Sequence, residues 1–434
     1  MKHTRARLFS NDLEAVFTGR PNRFLITARD SSGRELSCHC PNPGRLIEFF
    51  GFRGYDIPGI RLILEKRKTA GTGAKTGTKT AKTGATVVGL YYPDRKTRRS
   101  VVVPLFSSRA NGAAELLLLK EIIPDLTAVR AEYTLGKSRF DFLCTDAGGR
   151  RHLVEVKACS LVEYGSAMFP DAPSGRALKH LEELAELAGE GYVCHVLFVI
   201  LHGAPKVFIP NLHTDPLLAS GLSRLGTAVC RAKPGQTKTG APGDANPGPA
   251  KPVRIHAALL RADPEGRASL AAASIPVDLS HGGLAAGDGG NYLIVLELAE
   301  GAETEVGSLG SLRFKRGWYV YTGSARKNLT RRISRHLRKI RKKKHWHLDY
   351  LTPFAAAVKA LPIRSYRSLE CDLSRELSAL GGKPVRGRNG AGFGSSDCKQ
   401  GCPAHLYYFA ECPLRNRDFI ALLLRYRHVE AFRK

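Results

Sequence analysis

Three side chains that could hold a metal ion and activate water lie close together in the sequence. The stretch Ser138–Ser160, SRFDFLCTDAGGRRHLVEVKACS, contains Asp141, Glu155 and Lys157. Its two alternating runs on either side of a Gly-Gly pair predict a β-hairpin. With a three-residue loop at Ala147–Gly149, Asp141 faces Glu155 across the hairpin. Glu155 and Lys157 are two positions apart and therefore point to the same face of the strand.

Two interpretations of this hairpin are open. Like charges that face each other destabilise a sheet, so the charges either form diagonal ion pairs on a solvated face or surround a cation. Carboxylates are ligands for Mg²⁺ or Mn²⁺, and such a metal activates water for hydrolysis. A lysine beside them can orient that water and neutralise a phosphate. An Asp followed after 13 residues by Glu-x-Lys is the PD-(D/E)XK nuclease pattern, and its strand-turn-strand-helix context favours the metal.

The composition indicates a polyanionic partner. The chain has 434 residues, with 67 Lys+Arg against 39 Asp+Glu, a formal net charge of +28. More than half of this excess lies in residues 291–434. We therefore expect DNA and/or RNA as the partner. The longest apolar run, Tyr192–Leu201, is too short to span a membrane, and the start of the chain lacks a signal-peptide pattern. Ten irregularly spaced cysteines indicate reduced thiols and a cytoplasmic protein with no membrane partner.

Changes in composition predict an α/β multidomain chain. Residues 1–104 contain short strands typical of a small β module, with a Gly/Thr/Lys-rich flexible insertion at 69–86. Residues 105–280 alternate strands and helices, as an α/β core does, with a Pro/Gly-rich flexible loop at 232–252. A linker at 281–290 precedes a basic domain at 291–434.

Several separated motifs of the first 280 residues resemble the sugar fermentation stimulation protein A family. They are RPNRFL, CHCPNPGRL, EYTLGKSRFDF, VEVKACSL and FPDAPSGRALKHLEEL. The resemblance implies an OB-like N-terminal barrel, a PD-(D/E)XK core, DNA binding and nuclease activity. It also implies that Asp141, Glu155 and Lys157 are catalytic, that both carboxylates bind the metal, and that Glu132 is an extra acidic ligand. An alternative is a non-catalytic DNA-binding regulator of sugar metabolism genes that uses these folds for binding.

Basic and aromatic residues of this region are candidates for contacts with nucleic acid. An Arg-Phe pair on a barrel strand suits phosphate contact and base stacking, although the Phe could equally be core. A turn could contact ligand or serve only as a structural Asn turn. The start of the helix after Pro173 could meet a phosphate or be a solvated face. The candidates are Arg23, Phe24, His39, Asn42, Arg45, Arg139, Arg176, Lys179 and His180.

The basic domain contains a predicted amphipathic helix after Asn328. Its apolar positions, Leu329, Ile333, Leu337 and Ile340, are spaced four, four and three, and Asn328 is a suitable N-cap. The opposite face is densely cationic and includes Arg335 and Arg338. Such a stripe favours binding of a polyanion.

The same domain resembles a compact branch of the GIY-YIG superfamily. Tyr292 matches its first tyrosine, although Asn291 replaces the preceding glycine, and Tyr321-Thr322-Gly323 matches the second tripeptide. The resemblance implies that Arg332 meets the phosphate and that Glu370 or Glu376 binds a metal. Whether this domain cuts or only binds nucleic acid stays open.

One further pattern could bind zinc. Cys398, Cys402 and His405 have the spacing Cys-x₃-Cys-x₂-His, and Cys371 lies elsewhere. Because only one close cysteine pair exists, we expect buried thiols and a hydrogen-bonded histidine instead, and no zinc ligand is assigned.

Overall fold

The computed structural model describes residues 4–67, 83–93, 100–136, 138–229, 252–340, 343–396 and 398–433. These form two compact units. The first comprises Met1–Asn211 and Leu217–Gly282, and the second comprises Leu212–Pro216 and Gly283–Lys434. Within the described ranges, no helix is both long and apolar enough to cross a membrane.

The first unit begins with a closed β-barrel. Five strands are hydrogen-bonded in the order β4-β3-β2-β7-β8, a parallel pairing of β4 with β8 closes the ring, and β9 extends it beside β8. Alternate residues such as Ile26 and Ala28 fill the interior, as a period of two requires. The elements are β1 Ala6–Arg7, β2 Leu13–Asn22, β3 Leu25–Asp30, β4 Glu35–His39, α1 Ile47–Phe50, β5 Gly51–Phe52, β6 Tyr55–Asp56, β7 Arg61–Lys66, β8 Ala85–Pro93 and β9 Ser100–Pro104.

A mixed sheet with helices on both faces completes the first unit. Its strands run in the order β1-β19-β18-β15-β12-β11-β10, with β17 also paired to β18. Helix α2 packs on one face and α4 on the other. The elements are α2 Ala110–Leu117, α3 Leu119–Ile122, β10 Leu126–Leu135, β11 Ser138–Asp146, β12 Arg151–Cys159, β13 Leu161–Glu163, β14 Ser166–Phe169, α4 Gly175–Gly189, β15 Val193–Ile200, β16 Val207–Pro210, α5 Pro216–Leu225, β17 Gly226–Ala228, β18 Val253–Ala262 and β19 Arg267–Ala272.

The second unit is built on an antiparallel sheet with the order β24-β20-β23-β26-β25. Strand β20 lies in its middle and is buried along almost its whole length. The elements are α6 Gly282–Gly287, β20 Gly290–Leu298, β21 Ala302–Glu305, β22 Ser311–Phe314, β23 Gly317–Ala325, α7 Leu329–Leu337, α8 His347–Leu351, β24 Ala357–Arg364, α9 Glu370–Ala379, β25 Lys383–Pro384, β26 Leu406–Phe409 and α10 Arg417–His428.

Several predicted segments differ from the structure. The predicted linker at 281–290 contains helix α6 and the start of β20, and the last two residues of the predicted insertion at 69–86 begin β8. Most of that insertion, and all but the last residue of the predicted loop at 232–252, lie outside the described residues. The sequence signal failed at the segment ends because Gly-rich runs are compatible with both turns and short elements.

Three buried histidines fix the centre of the mixed sheet. His152 Nδ1 lies 3.0 Å from His195 Nε2, and His195 Nδ1 lies 2.9 Å from His256 Nε2. Asp146 Oδ2 lies 3.2 Å from His152 Nε2. Each neutral imidazole can donate one bond and accept one, so the row is satisfied without charge. Burial lowers the pKa of His256 to about 4. These hydrogen bonds link strand β12, which also contains Glu155, to strands β15 and β18.

A buried carboxyl in helix α1 makes the first unit sensitive to pH. Both Glu48 oxygens are buried without a hydrogen-bond partner in the described chain. Burial, together with the nearby carboxylates of Asp171 and Glu163, raises the pKa of Glu48 well above its usual value. The folded state therefore keeps a proton that the unfolded chain releases above about pH 4.3. Stability is lost as the pH rises from that value towards the pKa of the folded state.

Glu48→Gln should remove this loss, because the amide stays neutral at every pH. We expect the variant to gain stability over the wild type as the pH rises from 4.5 to 8, with each 1 kcal/mol raising the Tm by about 2 to 4 °C. Calorimetric melting across this range measures the difference. The exposed Glu35→Gln is the control. A pH-independent difference between Glu48→Gln and wild type would contradict the prediction.

Candidate active site

The structure pairs β11 with β12 in the predicted register. Phe142 lies opposite Val154 and Thr145 opposite Arg151. At the end of this ladder Asp141 turns towards β12, and its Oδ2 accepts a hydrogen bond of 2.7 Å from the Val156 backbone N–H. The hairpin therefore brings Asp141 to the part of β12 that contains Glu155 and Lys157.

Asn111, on helix α2, is a contact that the sequence reasoning missed. Its Nδ2 donates a 2.7 Å hydrogen bond to Asp141 Oδ1. With the Val156 N–H on the other oxygen, both oxygens of this carboxylate have a donor. Asn111 thus fixes the orientation of Asp141 from the helix that covers one face of the sheet.

Glu155 is 3% exposed and is held by two side chains. Lys157 Nζ and His180 Nδ1 both contact its Oε1, the latter at 2.6 Å. His180 Nε2 in turn accepts a 3.4 Å bond from Arg176 Nε. This arrangement places the His180 proton on Nδ1, facing the carboxylate. The second oxygen, Glu155 Oε2, is buried and has no hydrogen-bond partner among the described residues.

The two carboxyls have opposite electrostatic surroundings. Burial and the negative charge of Glu155 raise the pKa of Asp141. Burial also opposes ionisation of Glu155, but the His180 and Lys157 contacts outweigh it and lower the pKa of that group. A divalent cation would favour the ionised form of both carboxyls. Glu155 Oε2, a buried hard oxygen without a donor, together with Asp141, fits such an ion.

Glu132 and Arg139 contact each other at the exposed edge of the sheet. Glu132 Oε2 lies 3.0 Å from Arg139 Nη1, and both side chains are more than half exposed. Glu132 occupies the left-handed region at φ 55°, and the unchanged register of β10 and β11 on either side of it places it across from Asp141. The described contacts pair Glu132 with Arg139, and its role as an extra acidic ligand stays a prediction.

The predicted contact residues of the barrel have different surroundings. The Arg23 guanidinium lies 4.9 Å from the centroid of the Phe24 ring, and Phe24 is 44% exposed rather than core. His39 is half-buried and Arg45 is exposed. Asn42 is buried, and its Oδ1 accepts a 2.9 Å bond from the Gly44 N–H, which fits the structural Asn turn that was the alternative to a ligand contact.

Arg20, which was not among the predicted contact residues, supports the backbone that carries Arg23 and Arg45. It is 4% exposed. Its guanidinium donates to the backbone carbonyls of Arg45, Arg23 and Gly44 at 2.8, 2.9 and 2.9 Å. The same guanidinium also donates to the Asn42 carbonyl at 3.4 Å. A buried arginine that binds four carbonyls fixes the loop that displays Arg23 and Arg45.

The predicted phosphate contacts at the start of α4 separate into two groups. Ser174 Oγ accepts from the Ala177 N–H and caps the helix. Arg176 and Lys179 are exposed, the latter 3.5 Å from Glu183. His180 is 7% exposed and contacts Glu155. We therefore correct His180 from a phosphate contact to a residue that positions the carboxylate.

The two tyrosines of the predicted motif, Tyr292 and Tyr321, line one cavity of about 660 Å³ in the second unit. Tyr292 lies opposite Gly323, where a Cβ atom would come within 2.4 Å of the Tyr292 hydroxyl, so only glycine fits. The Tyr292 hydroxyl lies 3.0 Å from His336 Nε2, and burial raises the pKa of this tyrosine. Arg332 and Glu370 also line the cavity.

Glu370 and Glu376, the two candidates for the acidic ligand, have different positions. Glu370 faces the cavity, and its Oε2 accepts a 2.6 Å bond from Ser324 Oγ. Glu376 instead contacts the Arg425 guanidinium. Arg332 lies with its guanidinium 4.7 Å from the Trp346 ring centroid, at the wall of the same cavity.

The basic helix is shorter than predicted, because α7 ends at Leu337. Ile340 is 77% exposed, and His336 is buried instead. Asn328 makes no capping bond with its side chain. Asp288 caps the helix instead, accepting from the Thr330 N–H at 2.8 Å. The predicted apolar stripe was wrong at its end because four-residue spacing alone does not show where a helix stops.

Arg335 and Arg338 are not equivalent. Arg335 donates to Asp349 at 2.8 Å and to the Lys343 carbonyl at 2.9 Å. Asp349 is 1% exposed. Arg335 therefore stabilises the chain after α7, and its contact with nucleic acid stays a prediction. Arg338 is exposed beyond the helix end.

These features define a class of mixed α/β protein with a closed five-stranded barrel, an acid–lysine site on the adjoining sheet and a separate second unit. The chain belongs to the sugar fermentation stimulation protein family. The model of the sugar fermentation stimulation protein RE domain matches residues 108–238, and the model of a domain of unknown function, DUF123, matches residues 291–426.

Two relatives that match the first unit in sequence support this assignment. The chain is 35% identical over 225 residues to the sugar fermentation stimulation protein homolog of Pyrobaculum neutrophilum, covering 52% of this chain and 86% of the relative. It is 34% identical over 222 residues to that of Methanothermobacter thermautotrophicus, covering 50% and 83%. A solved structure, Pyrococcus furiosus SfsA in complex with Ca²⁺, shares 24% identity and covers 63% of this chain and 99% of the other, with a TM-score of 0.45.

Proposed function

We propose that the protein is a divalent-metal-dependent nuclease that hydrolyses DNA or RNA at the Asp141–Glu155–Lys157 site. One observation carries the proposal. Asp141 and the buried Glu155 converge beside a lysine, and Glu155 Oε2 has no hydrogen-bond partner among the described residues. We assign this sheet to the PD-(D/E)XK type and the closed barrel to the OB type on the same grounds of residue pattern and strand order.

The residues would divide the work as follows. Asp141 and Glu155 would hold Mg²⁺ or Mn²⁺, which supplies Lewis-acid chemistry at a phosphate. Asn111 and His180 orient the two carboxylates. Lys157, whose side chain is 19% exposed, would orient water or balance charge on the phosphate.

Nucleic acid would approach over the exposed basic and aromatic groups of the first unit. Arg23 and Phe24 offer a guanidinium and an accessible ring, which suits a single strand whose bases stack. Arg45, Arg139, Arg176 and Lys179 are exposed and cationic. Contacts of this kind bind the backbone without reading sequence, and binding should weaken steeply with added salt.

We assign the second unit to a GIY-YIG-like fold with Tyr292, Tyr321, Arg332 and Glu370 at its site. Arg332 would meet the phosphate, and Glu370 would be the acidic group, since Glu376 is paired with Arg425. This unit would bind nucleic acid, and a variant of Arg332 shows whether it also cuts.

A second candidate function is a DNA-binding regulator without catalysis. The specific observation in its favour is that both Asp141 oxygens already accept hydrogen bonds from the protein. A site satisfied in this way can be stable without a metal. The name of the family also records an effect on sugar use rather than a reaction.

Cleavage and thermal melting together test the proposal. Purified protein should cut end-labelled single- or double-stranded DNA or RNA with Mg²⁺ or Mn²⁺ and not with EDTA. Mn²⁺ should raise the Tm, and Asp141→Asn should remove that rise because it removes a charged ligand. The exposed Glu186→Gln on α4 is the control and should keep both properties. Salt-sensitive binding, with neither cleavage nor a metal-dependent Tm, would favour the regulator.

A further inference from the structure

Three thiols and an imidazole meet at one wall of the cavity in the second unit. Cys371 lies in the first turn of α9, Cys398 and Cys402 lie in the segment between β25 and β26, and His405 directly precedes β26. Their ligand atoms all lie within 4.8 Å of one another. The structure thus brings together the residues that the sequence analysis left unassigned, and the expectation of separate buried thiols is corrected.

The distances approach those of a tetrahedral metal site. The Sγ atoms of Cys371 and Cys398 are 3.5 Å apart. With zinc–sulfur bonds of about 2.3 Å, tetrahedral geometry places two ligating sulfurs about 3.8 Å apart. A disulfide would need about 2.05 Å, so the two thiols are spaced for a shared ion rather than for a bond. Soft thiolate donors favour zinc over magnesium.

His405 supplies the independent sign of a missing ligand. It is 4% exposed, and its Nε2 has no hydrogen-bond partner among the described residues. Its Nδ1 lies 2.9 Å from Glu370 Oε1, an ion-pair contact whose angle is not that of a hydrogen bond. A ligating histidine usually directs its second nitrogen to a carboxylate, which fixes the ring. Glu370 can serve this purpose and leaves Nε2 for the metal.

The backbone between the ligands is shaped for this convergence. Gly401, directly before Cys402, occupies the left-handed region at φ 67°. The Cys398 N–H donates to the Ser395 carbonyl at 3.1 Å, and the Gly394 N–H donates to His347 Nδ1 at 3.0 Å. These turns return the chain so that Cys398 and Cys402 both face Cys371. Two cysteines separated by three residues are typical of structural zinc sites.

We propose that Cys371, Cys398, Cys402 and His405 bind a structural Zn²⁺ ion. Four protein ligands close the coordination shell, so the ion holds the fold and does not activate water. It would tie the start of α9 to the segment before β26. Because Glu370 contacts His405 and also faces the cavity, the ion would fix the position of this carboxylate beside Tyr292 and Arg332. The proposal is independent of whether either unit cleaves nucleic acid.

The test is the metal content and the cobalt spectrum of the full chain. Elemental analysis of protein purified without chelator should find about one zinc per chain. Exchange with Co²⁺ alone should produce thiolate-to-cobalt charge-transfer absorption and intense visible bands of a tetrahedral site. Cys402→Ser should lower the zinc content about tenfold or more, since it removes one of four ligands. Cys412→Ser, which changes a half-buried thiol outside the cluster, should keep zinc unchanged.

The outcomes separate this site from the carboxylate site. Asp141→Asn should keep the zinc and the cobalt–thiolate absorption. Wild-type protein without zinc, or with zinc but no thiolate absorption after cobalt exchange, would overturn the proposal. A disulfide between Cys371 and Cys398 in freshly purified protein would overturn it as well. If Cys402→Ser fails to fold, the wild-type cobalt spectrum decides alone.

Discussion

Replacing Lys157 by methionine is expected to lower metal-dependent cleavage about 10³-fold while leaving metal binding intact. Methionine keeps most of the apolar stem of lysine but removes the ammonium that contacts Glu155. Asp141 and Glu155 remain, so Mn²⁺ should still raise the Tm. Loss of the rate without loss of the metal-dependent melting shift would identify Lys157 as a catalytic group rather than a support for the ligands. End-labelled substrates and calorimetric melting give the two readouts.

Two comparisons make this result specific. Lys120→Met removes an exposed lysine from the same unit and should leave the cleavage rate unchanged. Arg332→Ala should leave it unchanged if the chemistry lies in the first unit. Activity that survives in Lys157→Met and disappears in Arg332→Ala would move the reaction to the cavity of the second unit.

His180 positions the Glu155 carboxylate. Its Nδ1 holds Glu155 Oε1 at 2.6 Å, and its burial keeps it from reaching a substrate phosphate. This contact explains why Glu155 stays ionised while Asp141 is the carboxyl that is hard to charge. The geometry of the proposed site therefore depends on a helix residue, not only on the hairpin.

Local rules predicted the hairpin because all its determinants lie within the stretch itself. A three-residue loop and alternating strands set the register, and the structure has that register. The helix after Ser174 and the strand Val193–Ile200 were predictable for the same reason. A buried strand and a capped amphipathic helix have strong local signals.

Long-range contacts could not be predicted in this way. Asn111 precedes Asp141 by 30 positions, and His180 follows Glu155 by 25. Cys371 and Cys398 are 27 positions apart. Only the packing of α2 and α4 on the sheet, and the turn before β26, bring these groups together. A sequence pattern contains the types of the residues but not these approaches.

Leu212–Pro216 belong to the second unit although they lie far from it in the sequence, and one buried arginine holds them there. These residues lie within the first 280 positions, yet they pack with residues 283–434. Arg364, at the end of β24, is 4% exposed. Its Nη1 donates to the Leu212 carbonyl at 3.0 Å and to the His213 carbonyl at 3.2 Å. No local pattern near position 212 predicts this partner.

The same arginine also supports helix α7. Arg364 Nη2 donates to Asp288 Oδ1 and to Thr330 Oγ1, both at 2.9 Å. Asp288 in turn caps the helix. Burial lowers the pKa of Arg364, and the Asp288 charge opposes that effect. The guanidinium stays charged at neutral pH, because the ordinary pKa of an arginine lies far above neutral.

Arg364→Ala should therefore destabilise the second unit by about 3 to 5 kcal/mol, since it leaves two buried carbonyls without their donor and removes the cation that is paired with Asp288. Both tryptophans of the chain, Trp318 and Trp346, lie in this unit, so tryptophan emission during urea unfolding reports on it alone. Arg331→Ala, at an exposed position on α7, should change the free energy of unfolding by less than about 0.5 kcal/mol. Arg364→Lys keeps the charge but loses the planar guanidinium, so its loss of unfolding free energy should lie between those of Arg364→Ala and Arg331→Ala. An unfolding free energy of Arg364→Ala equal to that of Arg331→Ala would show that the stability of β24 and α7 does not depend on the contacts of Arg364.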